Sequence, residues 1–220
     1  MKRNCSLSDI SDGRLYNSND MVKADCLECK GCSACCKGMG NSIVLDPLDI
    51  YRLCTGLGTD FNGLLVSAIE LNVVDGIILP NLKMSGIEEK CVFLNEEGRC
   101  SIHPFRPGIC RMFPLGRYYE NGSYKYFLQV NECRNKNRAK IKVSKWIDTD
   151  DLKKYENYIN DWHYFLVDVQ EKIMLSQEND TYIKNINMYI LNTFFVSDYK
   201  EEFYIEFDRR LMEAKNTLLK

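Results

Sequence analysis

Hydrophobic and polar residues follow different periods along this chain, and each period predicts a different element. Apolar residues recur at helical spacing between Asp46 and Gly58, which predicts a helix with a capping aspartate and a terminating glycine. A second helical pattern begins behind Asp60. Two alternating stretches flank Asn121-Gly122, a dipeptide typical of tight β-hairpin turns. The middle of the chain is therefore predicted to mix helices with short hairpins.

The two ends of the chain have contrasting patterns. Residues 1–24 are rich in Ser, Asn and Asp, which predicts a loose arm. From Leu152 to Ile173, apolar and aromatic residues follow helical spacing, and residues 181–196 and 201–218 predict two more helices. We expect the α+β class, with a cysteine-rich domain of short hairpins and helices and then a helical extension. The expected parts are a flexible arm (1–24), a cysteine-cluster metal-binding domain (25–140) and a helical C-terminal region (141–220).

Composition limits which partners and which cellular compartment we expect. The chain has 220 residues, is 45% hydrophobic and has a net charge of -2, which disfavours nucleic acid as the main partner. Its apolar runs are too short to span a bilayer, and none follows the basic residues Lys2-Arg3 as in a signal peptide. We therefore expect a cytoplasmic protein without a membrane partner. Disulfides do not persist in that reducing compartment, so the 11 cysteines need another explanation.

The densest cysteine run offers metal binding as that explanation. It reads Cys26-Leu-Glu-Cys29-Lys-Gly-Cys32-Ser-Ala-Cys35-Cys36. A C-x2-C unit lets two thiolates reach one metal ion, and this run holds more sulfurs than one tetrahedral ion can use. The alternatives are a disulfide-rich knot or inert buried thiols.

The remaining cysteines fall into two groups. Cys54 lies on the apolar face of a predicted helix and is interpreted as a core residue, and Cys5 lies in the loose arm. The others lie in a turn or beside a predicted hairpin, where ligands are commonly placed. A hairpin is predicted over residues 91–102, and a proline-rich irregular loop over 103–114. These loop cysteines are Cys91, Cys100, Cys110 and Cys133.

Four motifs in order make the chain recognisable. They are Cys29-x2-Cys32-x2-Cys35-Cys36, Cys91-Val-Phe-Leu, Gly98-Arg-Cys100-Ser-Ile and Arg106-Pro-x2-Cys110-Arg111-x2-Pro114. Together they resemble the CxxCxxCC cysteine-cluster family, which is described as zinc- or iron-chelating and includes flagellin lysine N-methylase. The resemblance covers about residues 26–135. It departs from the family's pattern at Cys26, an extra cysteine, at Ser33, where glycine is common, and at His103, where an aromatic residue is frequent.

The resemblance implies a set of ligands, but it does not decide whether they bind zinc or iron. Zinc takes four thiolates, and iron–sulfur clusters are also held by sets of four cysteines. Because adjacent cysteines point in different directions, Cys35-Cys36 fits a multinuclear cluster or two neighbouring sites better than one zinc ion. We favour an iron–sulfur cluster of the 4Fe–4S type over zinc. The implied ligands are Cys29, Cys32, Cys35, Cys36, Cys91, Cys100 and Cys110, with Cys133 as the eighth.

Charged groups beside Cys110 extend this hypothesis. Arg106 and Arg111 are candidate cofactor-binding residues, because they would offset thiolate charge or bind an anionic substrate. Surface arginines paired with carboxylates are the simpler alternative. His103 is a further candidate, either as an imidazole ligand or as a hydrogen-bonded loop residue.

Three functions remain open from the sequence. The first is a metal-cluster protein for electron transfer, redox chemistry or sensing. The second, implied by the resemblance alone, is a protein lysine N-methylase that uses S-adenosylmethionine, although we find neither a glycine-rich nucleotide loop nor a C-x3-C-x2-C triad. The third is a structural zinc module that binds a protein partner. Whether the chain is an enzyme, and its oligomeric state, are left open.

Overall fold

The computed structural model describes residues 6–26, 32–176 and 180–220. Two of the cysteines considered above, Cys5 and the predicted ligand Cys29, lie outside these residues. In chain order the elements are α1 (Leu7–Ile10), β1 (Ser11–Tyr16), β2 (Met21–Asp25), α2 (Pro47–Leu57), α3 (Phe61–Ser67), β3 (Ile69–Val74), β4 (Ile77–Leu82), β5 (Met84–Ser85), β6 (Lys90–Cys91), α4 (Gly108–Met112), β7 (Leu115–Glu120), β8 (Ser123–Gln129), β9 (Ala139–Lys142), α5 (Val143–Ile147), α6 (Leu152–Leu175), α7 (Asp180–Leu191) and α8 (Phe203–Leu218).

The chain forms two compact units, each assembled from separate stretches of sequence. The first unit combines the chain up to Ile43 with Leu82–Leu152, and the second combines Val44–Asn81 with Lys153–Lys220. Short antiparallel sheets occur together with helices, and α6 to α8 make the C-terminal region helical. The predicted α+β class is therefore confirmed. In the described parts of the chain, no helix combines the length and apolar character needed to cross a membrane.

The first unit is built on small antiparallel sheets. Strands β1, β8 and β7 form one sheet in that order, β2 pairs with β9, and β5 pairs with β6. The predicted hairpin is confirmed as β7–β8, with Asn121 and Gly122 at φ angles of 51° and 74°. Positive φ at both central residues matches the right-handed twist of the flanking strands.

Near the N-terminus, the structure has two strands in a segment whose composition predicts a loose arm. In β1, Tyr16 lies opposite Tyr126, and in β2, Met21 lies opposite Lys142. Val22 and Ala24 of β2 are buried, whereas the residues on either side of each are more exposed. This alternation is the mark of a half-buried strand, but it extends over too few residues to stand out in a polar segment.

In the second unit, local signals set the helix ends as predicted. The Asp46 carboxylate accepts the Asp49 N–H at 2.9 Å, and the Asp49 carboxylate accepts the Asp46 N–H at 3.2 Å, so α2 begins with a capping box. Gly58, at a φ angle of 64°, ends α2. The predicted helix behind Asp60 is α3, but it ends at Ser67 because the β-branched stretch that follows forms β3.

The hydrophobic core of the second unit is largely aromatic. Trp162 on α6 lies 5.0 Å from Phe194 between ring centroids, and Phe207 on α8 lies 4.6 Å from Tyr158. Phe194 belongs to a π-helical turn, Asn192–Val196, that continues α7. We call the following residues the aromatic core: Tyr158, Trp162, Phe165, Phe194 and Phe207.

Candidate metal centre

A β-bridge brings the end of the cysteine run next to Cys91. The segment Ala34–Cys36 forms a single 3-10 turn, and the next residue, Lys37, pairs with Lys90 in an antiparallel bridge. Cys36 precedes Lys37 and Cys91 follows Lys90, so both cysteines adjoin the same bridge. Cys91 is also held from its other side, because β6 pairs it with Met84 of β5.

Tight turns then return the chain from Cys91 to Cys100. The segment predicted as a hairpin contains one bridge, between Leu94 and Cys100, rather than two extended arms. The N–H of Leu94 donates to the Cys91 carbonyl at 2.9 Å, and the N–H of Ser101 donates to the Phe93 carbonyl at 2.8 Å. Cys91 and Cys100 therefore lie at the two ends of a compact loop, and the polar turn residues 95–98 lie between them in the chain.

Cys110 lies on a short helix inside the proline-rich segment. Where the sequence predicts an irregular loop, the structure has a 3-10 turn, His103–Phe105, and then α4. The Arg111 N–H donates to the Pro107 carbonyl at 2.9 Å, which closes the first turn of α4. Prolines suit such starts, because a fixed φ angle and a missing N–H are tolerated in the first turn of a helix.

The electrostatics of the thiols indicate that five of them share one region. A hydrogen bond with Cys35, burial, and repulsion from Cys35, Cys91 and Cys110 raise the pKa of Cys36. Burial raises the pKa of Cys91, as does repulsion from Cys100 and Cys35. Burial likewise raises the pKa of Cys100. We call these residues the thiol cluster: Cys35, Cys36, Cys91, Cys100 and Cys110.

The donor chemistry of the thiol cluster suits zinc or iron, although its geometry is not that of a finished site. Thiolate is the preferred ligand of both metals in sulfur-rich sites. Among residues 6–26, 32–176 and 180–220, no three His, Cys, Asp or Glu side chains are arranged so that they could hold a metal ion. A metal bound here would therefore draw the sulfurs together, and a cation in place of the thiol protons would remove the repulsion that raises their pKa.

The other described cysteines of the predicted metal-binding domain are not part of the thiol cluster. Cys32 is exposed, and Cys133 is half-buried in the segment between β8 and β9. The thiol of the buried Cys26 donates to the Ala24 carbonyl at 3.3 Å. The Asn135 side-chain amide donates to the Cys26 carbonyl at 3.3 Å, so the segments that carry Cys26 and Cys133 are neighbours.

Cys54 belongs to the second unit, whereas the thiol cluster belongs to the first. It is half-buried on α2 and not fully enclosed as a core residue would be. Burial and the carboxylates of Asp60 and Asp198 raise its pKa to about 11. A thiol kept protonated in this way packs as a small hydrophobic group.

The basic residues beside the thiol cluster have distinct partners. Arg106 Nη1 lies 2.8 Å from His103 Nε2, so a neutral imidazole accepts this hydrogen bond. Burial lowers the pKa of His103, and the positive charges of Arg106, Arg111 and Arg99 lower it further. Arg111 is buried and donates to two backbone carbonyls, those of Pro104 and Asp148.

Two lysines that adjoin cysteines in the sequence form a smaller charge network. Only their position next to the cysteines indicates it in the sequence. Lys37 and Lys90, which lie beside Cys36 and Cys91, each place Nζ 3.3 Å from the Glu88 carboxylate. Hydrogen bonds from Lys90 and Lys37 lower the pKa of Glu88. Because Glu88 is fully exposed, this network contributes little to stability.

A family comparison covers the segment that carries the thiol cluster. Residues 28–146, more than half of the chain, match the model of the CxxCxxCC family, described as a putative zinc- or iron-chelating domain. The chain belongs to the CxxCxxCC family. No curated protein and no solved structure matches the chain. The CxxCxxCC match includes the thiol cluster, Cys29, Cys32, Cys133 and both candidate arginines, and it ends before α6.

Proposed function

We propose that the first unit binds metal through cysteine thiolates and that the bound group is an iron–sulfur cluster, with 4Fe–4S as the favoured form. The observation that carries this proposal is the gathering of five thiols from separate turns into the thiol cluster. Four thiolates complete a structural zinc site, and four also hold a 4Fe–4S cluster. A fifth sulfur therefore argues against one isolated zinc ion, and the preference for a cluster rests on the adjacent Cys35-Cys36 pair. Membership of the CxxCxxCC family supports zinc or iron as the metal.

Purification without oxygen, followed by iron, zinc and sulfide analysis, tests the proposal. We expect iron and sulfide in matched amounts, with broad visible absorption from thiolate-to-iron charge transfer. Serine variants of Cys36 and Cys91 should lose the metal, whereas Cys54→Ser, in the second unit, should retain it. A colourless protein with one or two zinc ions would contradict the cluster and favour a structural zinc module that binds a protein partner. A protein without metal would contradict the site itself.

The cluster, once loaded, would serve electron transfer, redox chemistry or sensing in a reducing compartment such as the cytoplasm, where the thiols stay available. A protein lysine N-methylase activity is supported by the family resemblance alone. It is tested by measuring methyl transfer from S-adenosylmethionine to protein lysines with the metal-loaded chain. Equal transfer by the loaded and the metal-stripped protein would separate that activity from the cluster.

A further inference from the structure

The two arginines of the segment Arg106-Pro-x2-Cys110-Arg111 have different surroundings. Arg111 is only 9% exposed. Its Nη1 donates to the Asp148 carbonyl at 2.8 Å, and its Nη2 donates to the Pro104 carbonyl at 3.0 Å. Both of these acceptors belong to the backbone, and the exposed Asp148 carboxylate lies 4.0 Å from the same Nη1. The forked guanidinium therefore joins the 3-10 turn before α4 to the residue that ends α5.

A second side chain strengthens the same contact between α4 and α5. The indole nitrogen of Trp146, on α5, lies 3.1 Å from the Met112 carbonyl and 3.2 Å from the Phe113 carbonyl. These carbonyls lie at the end of α4, and Pro104 lies before its start. Arg111 and Trp146 together therefore fix both ends of the short helix that carries Cys110.

Arg106 is placed by a turn that begins at Cys100. The His103 N–H donates to the Cys100 carbonyl at 3.3 Å, and the Phe105 N–H donates to the Ile102 carbonyl at 3.0 Å, so the chain folds back on itself. Arg106 is half-buried, and its hydrogen bond to His103 Nε2 holds the guanidinium within this turn. The turn therefore holds the positive charge of Arg106 in the short segment that begins at Cys100.

We infer that the two arginines contribute to metal binding in different ways. Arg111 is a positioning residue, which holds Cys110 through two directed hydrogen bonds to the backbone. Arg106 acts through its charge, which offsets the negative charge of the thiolates around Cys100. The inference rests on the thiolate metal site proposed above. It has a specific consequence, because lysine keeps the positive charge of arginine but lacks its planar fork of donors.

Lysine and glutamine variants of each arginine separate charge from geometry. Each protein is purified without oxygen, and a chelator titration gives the EDTA concentration that removes half of its iron or zinc. Residues that support metal ligands typically contribute about 10–100-fold to metal affinity. We therefore expect Arg106→Gln to lower the half-removal concentration by about 10-fold or more, and Arg106→Lys to restore most of the loss. Arg111→Gln and Arg111→Lys should both lower it, by similar factors.

Three controls make the result decisive. Arg99→Gln removes an exposed arginine next to Cys100 and should leave retention within about threefold of the unsubstituted chain, since exposed charges contribute little. Trp146→Phe removes the companion hydrogen bonds to the end of α4 and should weaken retention even though both arginines remain. Circular dichroism of each variant as purified, before chelator is added, confirms that the helices are intact. If Arg111→Gln fails to fold, Arg111→Lys and Trp146→Phe still report on positioning.

The outcomes distinguish this inference from the proposed function. An unsubstituted chain that holds no metal would contradict the thiolate site itself. If that chain holds metal, full retention by Arg111→Lys would overturn the positioning role. Equal losses in Arg106→Lys and Arg106→Gln would overturn the role of charge.

Discussion

The two units of this protein satisfy their buried polar groups in different ways. In the second unit, the buried pair Glu206 and Arg210 is completed by the backbone: Glu206 accepts the N–H groups of Lys200 and Glu201 at 2.7 and 3.0 Å. Arg210 donates to Glu206 and to carbonyls of the chain before α8. In the first unit, burial and repulsion from neighbouring thiols raise the pKa of Cys36, Cys91 and Cys100 in the thiol cluster. The second unit pairs its buried charges with its own atoms, whereas the thiols of the first unit would be completed by the metal ion proposed above.

The comparison implies different sources of stability. The aromatic core buries large rings, with Phe165, Phe194 and Phe207 fully enclosed, and such burial needs no metal. In the first unit, the cysteine segments are held mainly by turns and by the two-residue strands β5 and β6. Where thiolate ligands come from separate turns, metal binding contributes directly to folding. Metal removal should therefore affect one unit and spare the other.

The largest expected effect comes from metal removal, and the two tryptophans report on it separately. Trp146 lies in the first unit and Trp162 in the second, so Trp162→Phe leaves Trp146 as the reporter of the first unit. Trp146→Phe, which should itself weaken metal retention, is used only to follow Trp162 in the second unit. Chelation should destabilise the unit reported by Trp146, by up to about 10 kcal/mol if the metal contributes as it does in small zinc domains. The urea midpoint reported by Trp162 should not change. Equal shifts of both midpoints would remove the distinction between the units.

The next largest effect should come from removing a ring of the aromatic core in the second unit. Phe207 is fully buried and packs against Tyr158, so Phe207→Ala should lower the free energy of unfolding of the second unit by about 3–5 kcal/mol. Trp162 fluorescence in a urea titration measures the loss. Metal content per chain should stay unchanged. Loss of metal in this variant would mean that the thiol cluster depends on the aromatic core.

A comparable effect should arise from the buried ion pair. Glu206→Gln leaves the buried Arg210 without its carboxylate, and breaking such a pair destabilises proteins by about 3–5 kcal/mol. Arg209 is an exposed arginine on α8 that pairs with Glu213 at 3.0 Å and more distantly with Glu206 at 3.7 Å, and Arg209→Gln should change stability by less than about 1 kcal/mol. Unfolding of the second unit, followed by Trp162, measures both. Similar losses in the two variants would contradict a special role for the buried pair.

The same carboxylate gives a pH dependence with a definite sign. Burial alone would raise the pKa of Glu206, but hydrogen bonds from the Glu201 N–H, from Arg210 and from the Lys200 N–H outweigh it and lower the pKa. A carboxyl group with a depressed folded pKa contributes stability above its unfolded pKa, about 4.3. That contribution is lost as the pH falls through the folded value. We follow unfolding of the second unit by Trp162 fluorescence at several pH values. Below pH about 4.3, the free energy of unfolding should fall less steeply with decreasing pH in Glu206→Gln than in the unsubstituted chain.

Local signals and long-range contacts explain how much the sequence reveals. The cap at Asp46, the stop at Gly58 and the turn at Asn121-Gly122 depend on residues within one turn, and all three are predicted correctly. The pairing of β2 with β9 joins segments that are far apart in the chain. Only Val22 and Ala24 indicate that strand, so composition predicts an arm there.

The candidate site likewise combines features that local sequence signals reveal with features that depend on long-range contacts. Spacing and family resemblance identify its cysteines, because metal ligation needs particular residue types at particular intervals. The partners of Arg111 are not readable in this way: one acceptor, the Asp148 carbonyl, lies 37 residues away, and a backbone carbonyl has no signature in sequence. Its adjacency to Cys110 suggests cofactor binding, whereas its contacts indicate positioning. The whole ligand set, including the thiol cluster, stays a prediction.

The smallest expected effect concerns the cap that begins α2. The Asp46 carboxylate accepts the Asp49 N–H, and it also accepts the hydroxyl of the buried Tyr158 at 2.9 Å. Asp46→Ala should lower the free energy of unfolding of the second unit by about 1–2 kcal/mol, because it removes the cap and leaves the Tyr158 hydroxyl without this acceptor. Asp46→Asn keeps an oxygen at the same place and should lose less than half as much. If the two variants lose equal stability, the negative charge at the helix start, and not the hydrogen-bond acceptor, is what stabilises this end of the second unit.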